Sequence, residues 1–389
     1  MVASKDIDIV IYGATGFTGK LVAEHFSQHL GNVRWAMAGR SLDKLAATRD
    51  DIGAPADTPI IVADASNPAT LQAMVTQARC ILTTVGPYQV YGSDLVVACA
   101  KHGTDYLDLC GEPAWMRQMI DAHSHAAKAS GARIVFSCGF DSIPFDLGVL
   151  FLQTHAQKAY GAPLRSVRGR VRTMKGTFSG GTAASFRATM AAAARDPEVL
   201  TLLRDPFSLT PGFTGPKQPS GTRPKHEDDL GSWAAPFIMA PINTRNIHRS
   251  NMLLGHPYGT DFCYDEMILT GPGDAGEALA KHVTSDKSLG SDAGPKPGEG
   301  PSKAERESGH YDILFIGESA SGQQLKASVT GDKDPGYGST SKMIAQAAMC
   351  LAMERADLAG GIYTPAASMG LDLLGRLQAH AGLRFLIEN

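Results

Sequence analysis

The sequence has no CxxC pair, and its six cysteines (Cys80, Cys99, Cys110, Cys138, Cys263, Cys350) form no regular framework. That excludes a disulfide scaffold and a cysteine-based metal cluster. With no signal peptide ahead of the first apolar run, the thiols read as reduced ones in a cytoplasmic protein. No run of about 18 apolar residues occurs, which excludes a membrane-spanning helix. A basic excess is also missing. The formal net charge is −3, the wrong balance for a nucleic-acid surface. The twelve histidines are scattered. The one helical pair, His25 and His29, lacks a third ligand and reads as a surface face, so no metal site is expected. No internal repeat is visible. What remains is a globular composition, 43% hydrophobic and 19% charged, over 389 residues, a length that favours two domains over one.

The chain is organised around Asp6 to Gly19, DIDIVIYGATGFTG. Ile7, Ile9 and Ile11 lie in a short apolar run that reads as a buried parallel strand. Gly13, Gly16 and Gly19 follow, and Val22, Phe26 and Leu30 recur at helical spacing from Thr18 onward. Strand, glycine turn and helix are the context of a dinucleotide site. The glycines let the backbone approach a pyrophosphate, and the helix N-terminus offers unpaired N–H groups to the anion.

Strands and helices then alternate. Strands are expected at Val33–Ala38, Ile60–Ala63, Cys80–Val85, Thr104–Leu107 and Arg133–Ser137. Helices are expected between them, including Leu42–Ile52, Pro68–Gln77 and Ala114–Ala129. This predicts an α/β protein, with an N-terminal Rossmann doubly wound parallel sheet over residues 1–145. Ligands of such sheets bind at the carboxyl ends of the strands, so those ends are where function is read.

Strand two ends in Gly39-Arg40-Ser41. An NAD site usually has a carboxylate about twenty residues past the glycines, where it holds the ribose hydroxyls and repels a 2′-phosphate. Here that carboxylate is absent and a guanidinium follows at once. Arg40 can grip a 2′-phosphate, Ser41 can donate to it, and Lys44 is one helical turn on, so NADP(H) is expected. Asp64, ending strand three, either accepts from the adenine amine or caps the next helix. Gly86 and Pro87, after strand four, suit close approach to the nicotinamide ribose. Tyr88 is either a proton donor or core packing. Asp108, Cys110, Gly111 and Glu112 cluster after strand five. After strand six, Cys138 and Gly139 suit approach to a ligand, while Asp141 and Ser142 start a helix or face the nicotinamide. A short-chain dehydrogenase needs a Tyr and a Lys four residues apart on a helix after strand four or five, and none is found there.

The pattern changes near Leu164. Arg165–Thr173 alternates, and a second glycine turn follows at Ser179-Gly180-Gly181-Thr182 before a helix at Ala183–Ala194. Its N-terminus can hold a substrate oxygen, or it is merely a tight connection. Lys175 is the one lysine placed to matter chemically. Ser208–Ser232 and Ser285–Gly309, rich in proline, glycine or serine, are expected as mobile surface insertions. Tyr311–Ile316 and Gln324–Val329 read as antiparallel strands, and a helix is expected at Lys342–Ala356. Residues 146–356 are thus expected to form an α+β substrate domain with four to six strands, a potential homodimer surface. The tail, 357–389, carries Leu371, Leu374 and Leu377 at helical spacing. It is expected to pack back on the first domain, with a membrane-surface role as the alternative.

Taken in order, GATGFTG, AGRS, TVGPY, YLDLCGE and FSCGFDSIPFDLG resemble the saccharopine dehydrogenase-like oxidoreductases. The branch they are most similar to includes the trans-acting enoyl reductases of bacterial lipid and polyketide synthesis. The resemblance implies a nicotinamide cofactor, contacted at matching positions by Gly13, Thr15, Gly16, Phe17, Arg40, Ser41, Gly86 and Pro87. Thr18, Gly39, Lys44, Asp64, Cys138 and Gly139 complete the expected cofactor set. Tyr88, Asp141 and Lys175 are the catalytic candidates, and Ser179 to Thr182 the substrate-binding ones. The expected activity is NADPH-dependent reduction of an activated C=C in an acyl thioester, with contact to a synthase or a membrane surface left open. Two alternatives stand. An imine or amino-acid oxidoreductase would need an anion-binding set drawn from Arg168, Arg170, Arg245 and Arg249. A non-catalytic NADP-binding regulator would turn over no acceptor.

Overall fold

The computed structural model describes residues 5–29, 33–177, 180–286, 288 and 299–388. Its fourteen strands are β1 (Ile7–Tyr12), β2 (Trp35–Gly39), β3 (Ile60–Val62), β4 (Ala78–Thr83), β5 (Asp105–Leu107), β6 (Arg133–Val135), β7 (Leu164–Lys175), β8 (Lys225–Glu227), β9 (Ser232–Pro236), β10 (Cys263–Gly271), β11 (His310–Ser319), β12 (Gln324–Gly331), β13 (Gly361–Tyr363) and β14 (Leu383–Glu388). They form two sheets of seven.

The first sheet runs β13-β6-β5-β4-β1-β2-β3 and is parallel throughout. Ile9 lies between Trp35 and Cys80, and Ile9, Val10 and Ile11 are fully buried, because helices cover both faces. The strand order reverses between β1 and β4. Their carboxyl ends therefore open the crevice in which such sheets bind ligand. The six expected strands are present with ends shifted by a residue or two, and the seventh, β13, arrives from near the end of the chain.

The second sheet runs β14-β12-β11-β7-β10-β9-β8 and is mixed. β7 pairs parallel with β10 and antiparallel with β11, and the remaining pairs are antiparallel. It has seven strands where four to six were expected, because the short β8 is polar and β14 comes from the tail, which was expected as a helix. The helix Ile143–Tyr160 lies against this sheet. At Gly148 it comes so close that a Cβ would sit 2.5 Å from the Phe315 ring. Residues 357–389 contain the helix Pro365–His380 together with β13 in the first sheet and β14 in the second. Leu374 and Leu377 are buried there, whereas Leu371 is exposed.

Two local expectations are corrected. The start of Ser208–Ser232 is fixed rather than mobile. Phe207 to Thr210 are buried, Arg117 donates to the Ser208 carbonyl, and Arg245 donates to the Ser208 hydroxyl. His25 is buried, stacked on His29 and beside Gln346, so only His29 of the pair lies on the surface. Of the second expected insertion, residues 287 and 289–298 lie outside the described residues.

Candidate active site

At the carboxyl end of β1 the chain turns through Gly13 at a φ of +91°, a conformation that favours glycine. A Cβ there would also meet Thr84 Oγ1 and Val85 Cγ2, each at 2.8 Å. Gly19 packs its helix so tightly on the turn that a Cβ would strike the Gly13 carbonyl. Thr15 and Gly16 are exposed, and the helix Phe17–His29 begins directly behind them. Open backbone and a helix N-terminus fit a pyrophosphate.

Around β2, Arg40 is exposed, and Ser41 caps the helix Leu42–Asp51 by accepting from the Lys44 N–H at 3.3 Å. That bond uses an oxygen lone pair and leaves the Ser41 O–H free to donate. Asp64 lies close enough to interact with Arg40 and accepts from the Ser66 N–H and hydroxyl, both at 2.9 Å, which hold its carboxyl below the usual range. Gly39, Arg40, Ser41, Lys44 and Asp64 thus gather on one edge, and the Asp64 carboxylate, though near Arg40, is turned to Ser66. The residues present fit NADP(H).

From Thr18, on this edge, a cavity of about 430 Å³ extends between the two sheets. Its first wall is Thr84, Gly86, Leu109, Gly111 and Gly139 at the ends of the parallel strands. Gly139 permits the closure there, since a Cβ would lie 2.8 Å from Leu109 Cδ2 and 3.0 Å from Thr340 Cγ2. The second wall is the helix Gly180–Arg195, which presents Gly181, Thr182, Ser185, Phe186, Thr189 and Met190. Gln89 reaches across to Thr189 at 3.2 Å. Phe237, Met239 and Ile242, at the start of the helix Ala240–Leu253, form the floor, and Pro335 to Tyr337 face the glycine turn. Phe186, Met190 and Ile238 are 38%, 53% and 41% exposed, so the rim is apolar as well as the interior.

Asp141 supplies the only carboxyl, amine, imidazole or thiol among the residues lining this cavity. Its side chain has no hydrogen-bond partner among the described residues, and removal from bulk water pushes its pKa up to about 7. Its carboxylate lies beside Gly111, where a Cβ would stand at ordinary contact distance, 3.7 Å from Asp141 Oδ2. Behind it lies Glu266 on β10, which accepts from Asn243 Nδ2 at 2.7 Å and the Tyr264 hydroxyl at 2.8 Å. Burial first, and then the neighbouring Asp141, raise Glu266 to about 8 against those two bonds.

The other catalytic candidates face elsewhere. Tyr88 borders the cavity, but its hydroxyl accepts from the Leu109 N–H at 3.1 Å and lies 3.4 Å from the Thr83 carbonyl. Glu112 fixes that orientation by accepting from the Tyr88 and Gln89 N–H groups at 2.9 and 2.8 Å. Lys175, at the exposed end of β7, donates to Ser308 at 3.0 Å and does not line the cavity. Cys138 is buried, its Sγ turned to the Val135 and Phe136 carbonyls. Pro87 sits just outside, leading into the helix Tyr88–Tyr91. Gly180 is buried at the start of its helix, and Ser179 lies outside the described residues. Sequence reasoning placed Gly181 and Thr182, which line the cavity, but missed Glu266, Asn243, Tyr337, Thr340 and the cavity face of the helix Gly180–Arg195 beyond Thr182. The last had a signal: Phe186 and Met190 are four residues apart, one above the other on a helix.

Residues 9–135 match the saccharopine dehydrogenase NADP-binding domain family, so the first domain binds NADP(H). A Mycobacterium ulcerans trans-acting enoyl reductase is 40% identical over 403 aligned positions, covering 96% of each chain. A Mycobacterium tuberculosis protein, named provisionally as a trans-acting enoyl reductase, is 42% identical over 402 positions, again covering 96% of each. A solved saccharopine dehydrogenase of Saccharomyces cerevisiae shares the fold with a TM-score of 0.56 and 11% identity, covering 98% of this chain and 100% of that one.

Proposed function

The chain belongs to the trans-acting enoyl reductases, and from that premise we propose that this oxidoreductase reduces a carbon–carbon double bond conjugated to the carbonyl of an acyl thioester. The observation that carries the proposal is an apolar cavity, open at an apolar rim, with a single carboxyl and no cation among its lining residues. An acyl chain fits such a lining, and a substrate carboxylate does not, because no cation faces the cavity among the described residues. When bound, NADPH supplies a hydride. The protein holds the β-carbon toward the end of the parallel strands, and the N-terminus of the helix Gly180–Arg195 faces the thioester oxygen as negative charge develops there. Asp141 then gives its proton to the α-carbon. Support for Asp141 over Tyr88 and Lys175 is positional: the tyrosine hydroxyl is engaged by backbone, and the lysine lies outside. The acyl thioester is presented at the apolar rim by a separate synthase.

An amino-acid or imine substrate is disfavoured by the four arginines it would need. Arg168 and Arg170 are paired with Glu227, Asp229 and Asp265, while Arg245 and Arg249 donate to the carbonyls of Leu203 and Pro241, and of Leu209 and Ile362. The test is NADPH oxidation followed by absorbance with α,β-unsaturated thioesters of varied chain length beside 2-oxo acids with amines. Turnover on the thioesters alone is expected. Turnover on the oxo acids alone would overturn the proposal, and NADPH binding with no turnover on either would favour a regulator.

A further inference from the structure

Phe17 is the first residue of the helix whose N-terminus faces the cofactor phosphates, and its ring is held by the second half of the chain. Tyr337 meets it edge-on, with ring centroids 5.1 Å apart. Gly300 lies flat on it, since a Cβ would come within 2.5 Å of the ring. The guanidinium carbon of Arg306 is 5.5 Å from its centroid.

Arg306 is firmly placed. It stands on the short helix Lys303–Ser308, which opens with a capping box between Ser302 and Glu305. Its carbonyl accepts from the Asp334 N–H at 3.0 Å, and its Nη1 donates to the Pro301 carbonyl at 2.6 Å. The other guanidinium N–H groups have no hydrogen-bond partner, and the residue no salt bridge, among the described residues. The Asp334 carboxyl lies close enough for the Arg306 charge to act on it, but makes no salt bridge with it and accepts from the Tyr337 and Gly338 N–H groups at 2.9 and 2.7 Å. On the glycine-turn side, Lys20 is turned to Asp51, and Arg40 and Lys44 stand beyond β2. The turn itself thus offers a doubly charged pyrophosphate only N–H dipoles.

We propose that Arg306 binds the pyrophosphate bridge of NADP(H), so that the second half of the chain completes the phosphate site of the first. This rests on the dinucleotide assignment and not on the acyl substrate. The guanidinium has N–H groups to give, and it is held against the side chain of Phe17, the first residue of the helix whose N-terminus would receive the phosphates. The cofactor would then be held by both the Gly13–Phe17 turn and the Arg306 helix.

The experiment is fluorescence titration of NADPH, NADH and 2′-AMP into the wild type, R306Q, R306K and R40A. Gln at 306 keeps a polar side chain on the same helix while removing the charge. R306Q is expected to weaken NADPH and NADH by the same factor, about tenfold. It should leave 2′-AMP, which has no pyrophosphate, within twofold, and R306K should recover part of the loss. R40A is expected to weaken NADPH and 2′-AMP and to spare NADH. Unchanged NADPH affinity in R306Q, an unequal loss of the two dinucleotides, or a parallel loss of 2′-AMP would each overturn the proposal. Failure of the wild type to bind either dinucleotide would overturn the cofactor assignment beneath it.

Discussion

The turn Gly13–Gly19 and the helix Ala240–Leu253 both face the ligand space, and they are built in opposite ways. The turn acts through backbone. It has no side chain at Gly13, Gly16 or Gly19, and its ligand-binding capacity comes from N–H groups that any correct fold of those seven residues would expose. The helix acts through buried side chains. Asn243, Arg245, Asn246, His248, Arg249, Ser250 and Asn251 are all buried, on a segment that looks solvated by composition. Asn243 Oδ1, Asn246 Oδ1, His248 Nε2 and Arg249 Nε have no protein partner. Asn246 donates to Ser142 at 2.8 Å, so this polarity lies directly beneath Asp141. Backbone function concentrates in one short motif, whereas side-chain function at a domain interface draws on residues a hundred positions apart.

The largest break in this comparison is expected at Asp141. D141N should lower kcat for an enoyl thioester by about 10²–10⁴ while leaving the NADPH dissociation constant unchanged, since the turn does not depend on it. The same substitution should raise the unfolding temperature at pH 8. A carboxyl whose folded pKa is raised to about 7 binds its proton more tightly in the folded than in the unfolded chain. Wild-type stability therefore falls as pH rises from about 4 through 7, and Asn removes that loss. A lowered unfolding temperature with retained kcat would make Asp141 a structural residue. Thermal unfolding at pH 5 and pH 8, beside turnover, separates the two.

Arg170 tests whether the polar layer of the second sheet can tolerate a missing charge. It is fully buried, its Nη2 2.8 Å from both Glu227 Oε1 and Asp265 Oδ2. R170M should cost about 3–5 kcal/mol in denaturant unfolding, because Asp265 is left with only the half-exposed Lys225 as an ion-pair partner and Glu227 with Lys225 and the partly exposed Arg168. R165A, which breaks the pair of Arg165 with Asp261, both exposed, is the control and should have a much smaller effect. Equal effects would mean that burial does not set the difference.

Legibility in the sequence follows the same division. The alternating strands and helices of the first sheet, GATGFTG and the missing carboxylate at Gly39 are local patterns, and they led to the fold and the cofactor. β13 could not be read, because three residues, Gly361 to Tyr363, become a strand only through an edge that β6 provides. Tyr88 reads as a proton donor by position, but Glu112 caps the turn before it and rotates the hydroxyl inward. Glu266 gave no signal, since an acid in an otherwise apolar strand looks solvent-facing until Asn243 and Tyr264 are brought against it.

On the backbone-built side, R40A should weaken NADPH by about 10- to 100-fold, the range for lost charge-assisted hydrogen bonds, and leave NADH unchanged. Titration of both cofactors checks it. An equal loss of both would mean that Arg40 serves the adenine or the fold instead of the 2′-phosphate.

The smallest effect is expected at the rim. Phe186 and Met190 are 38% and 53% exposed, so truncating either to Ala should change unfolding free energy by no more than about 0.5 kcal/mol. Their effect should appear only when a substrate covers them. Each methylene transferred from water to such a surface contributes about 0.8 kcal/mol when fully buried, and a half-open rim gives less. F186A and M190A should therefore raise KM a few-fold for long-chain enoyl thioesters and leave short-chain ones unaffected, with kcat unchanged for both because neither residue is near Asp141 in role. Equal changes at every chain length would place the acyl chain elsewhere and detach the rim from substrate binding. A chain-length series on the two variants is thus the finest test of whether the exposed apolar side chains of the helix Gly180–Arg195 are part of the site or merely its border.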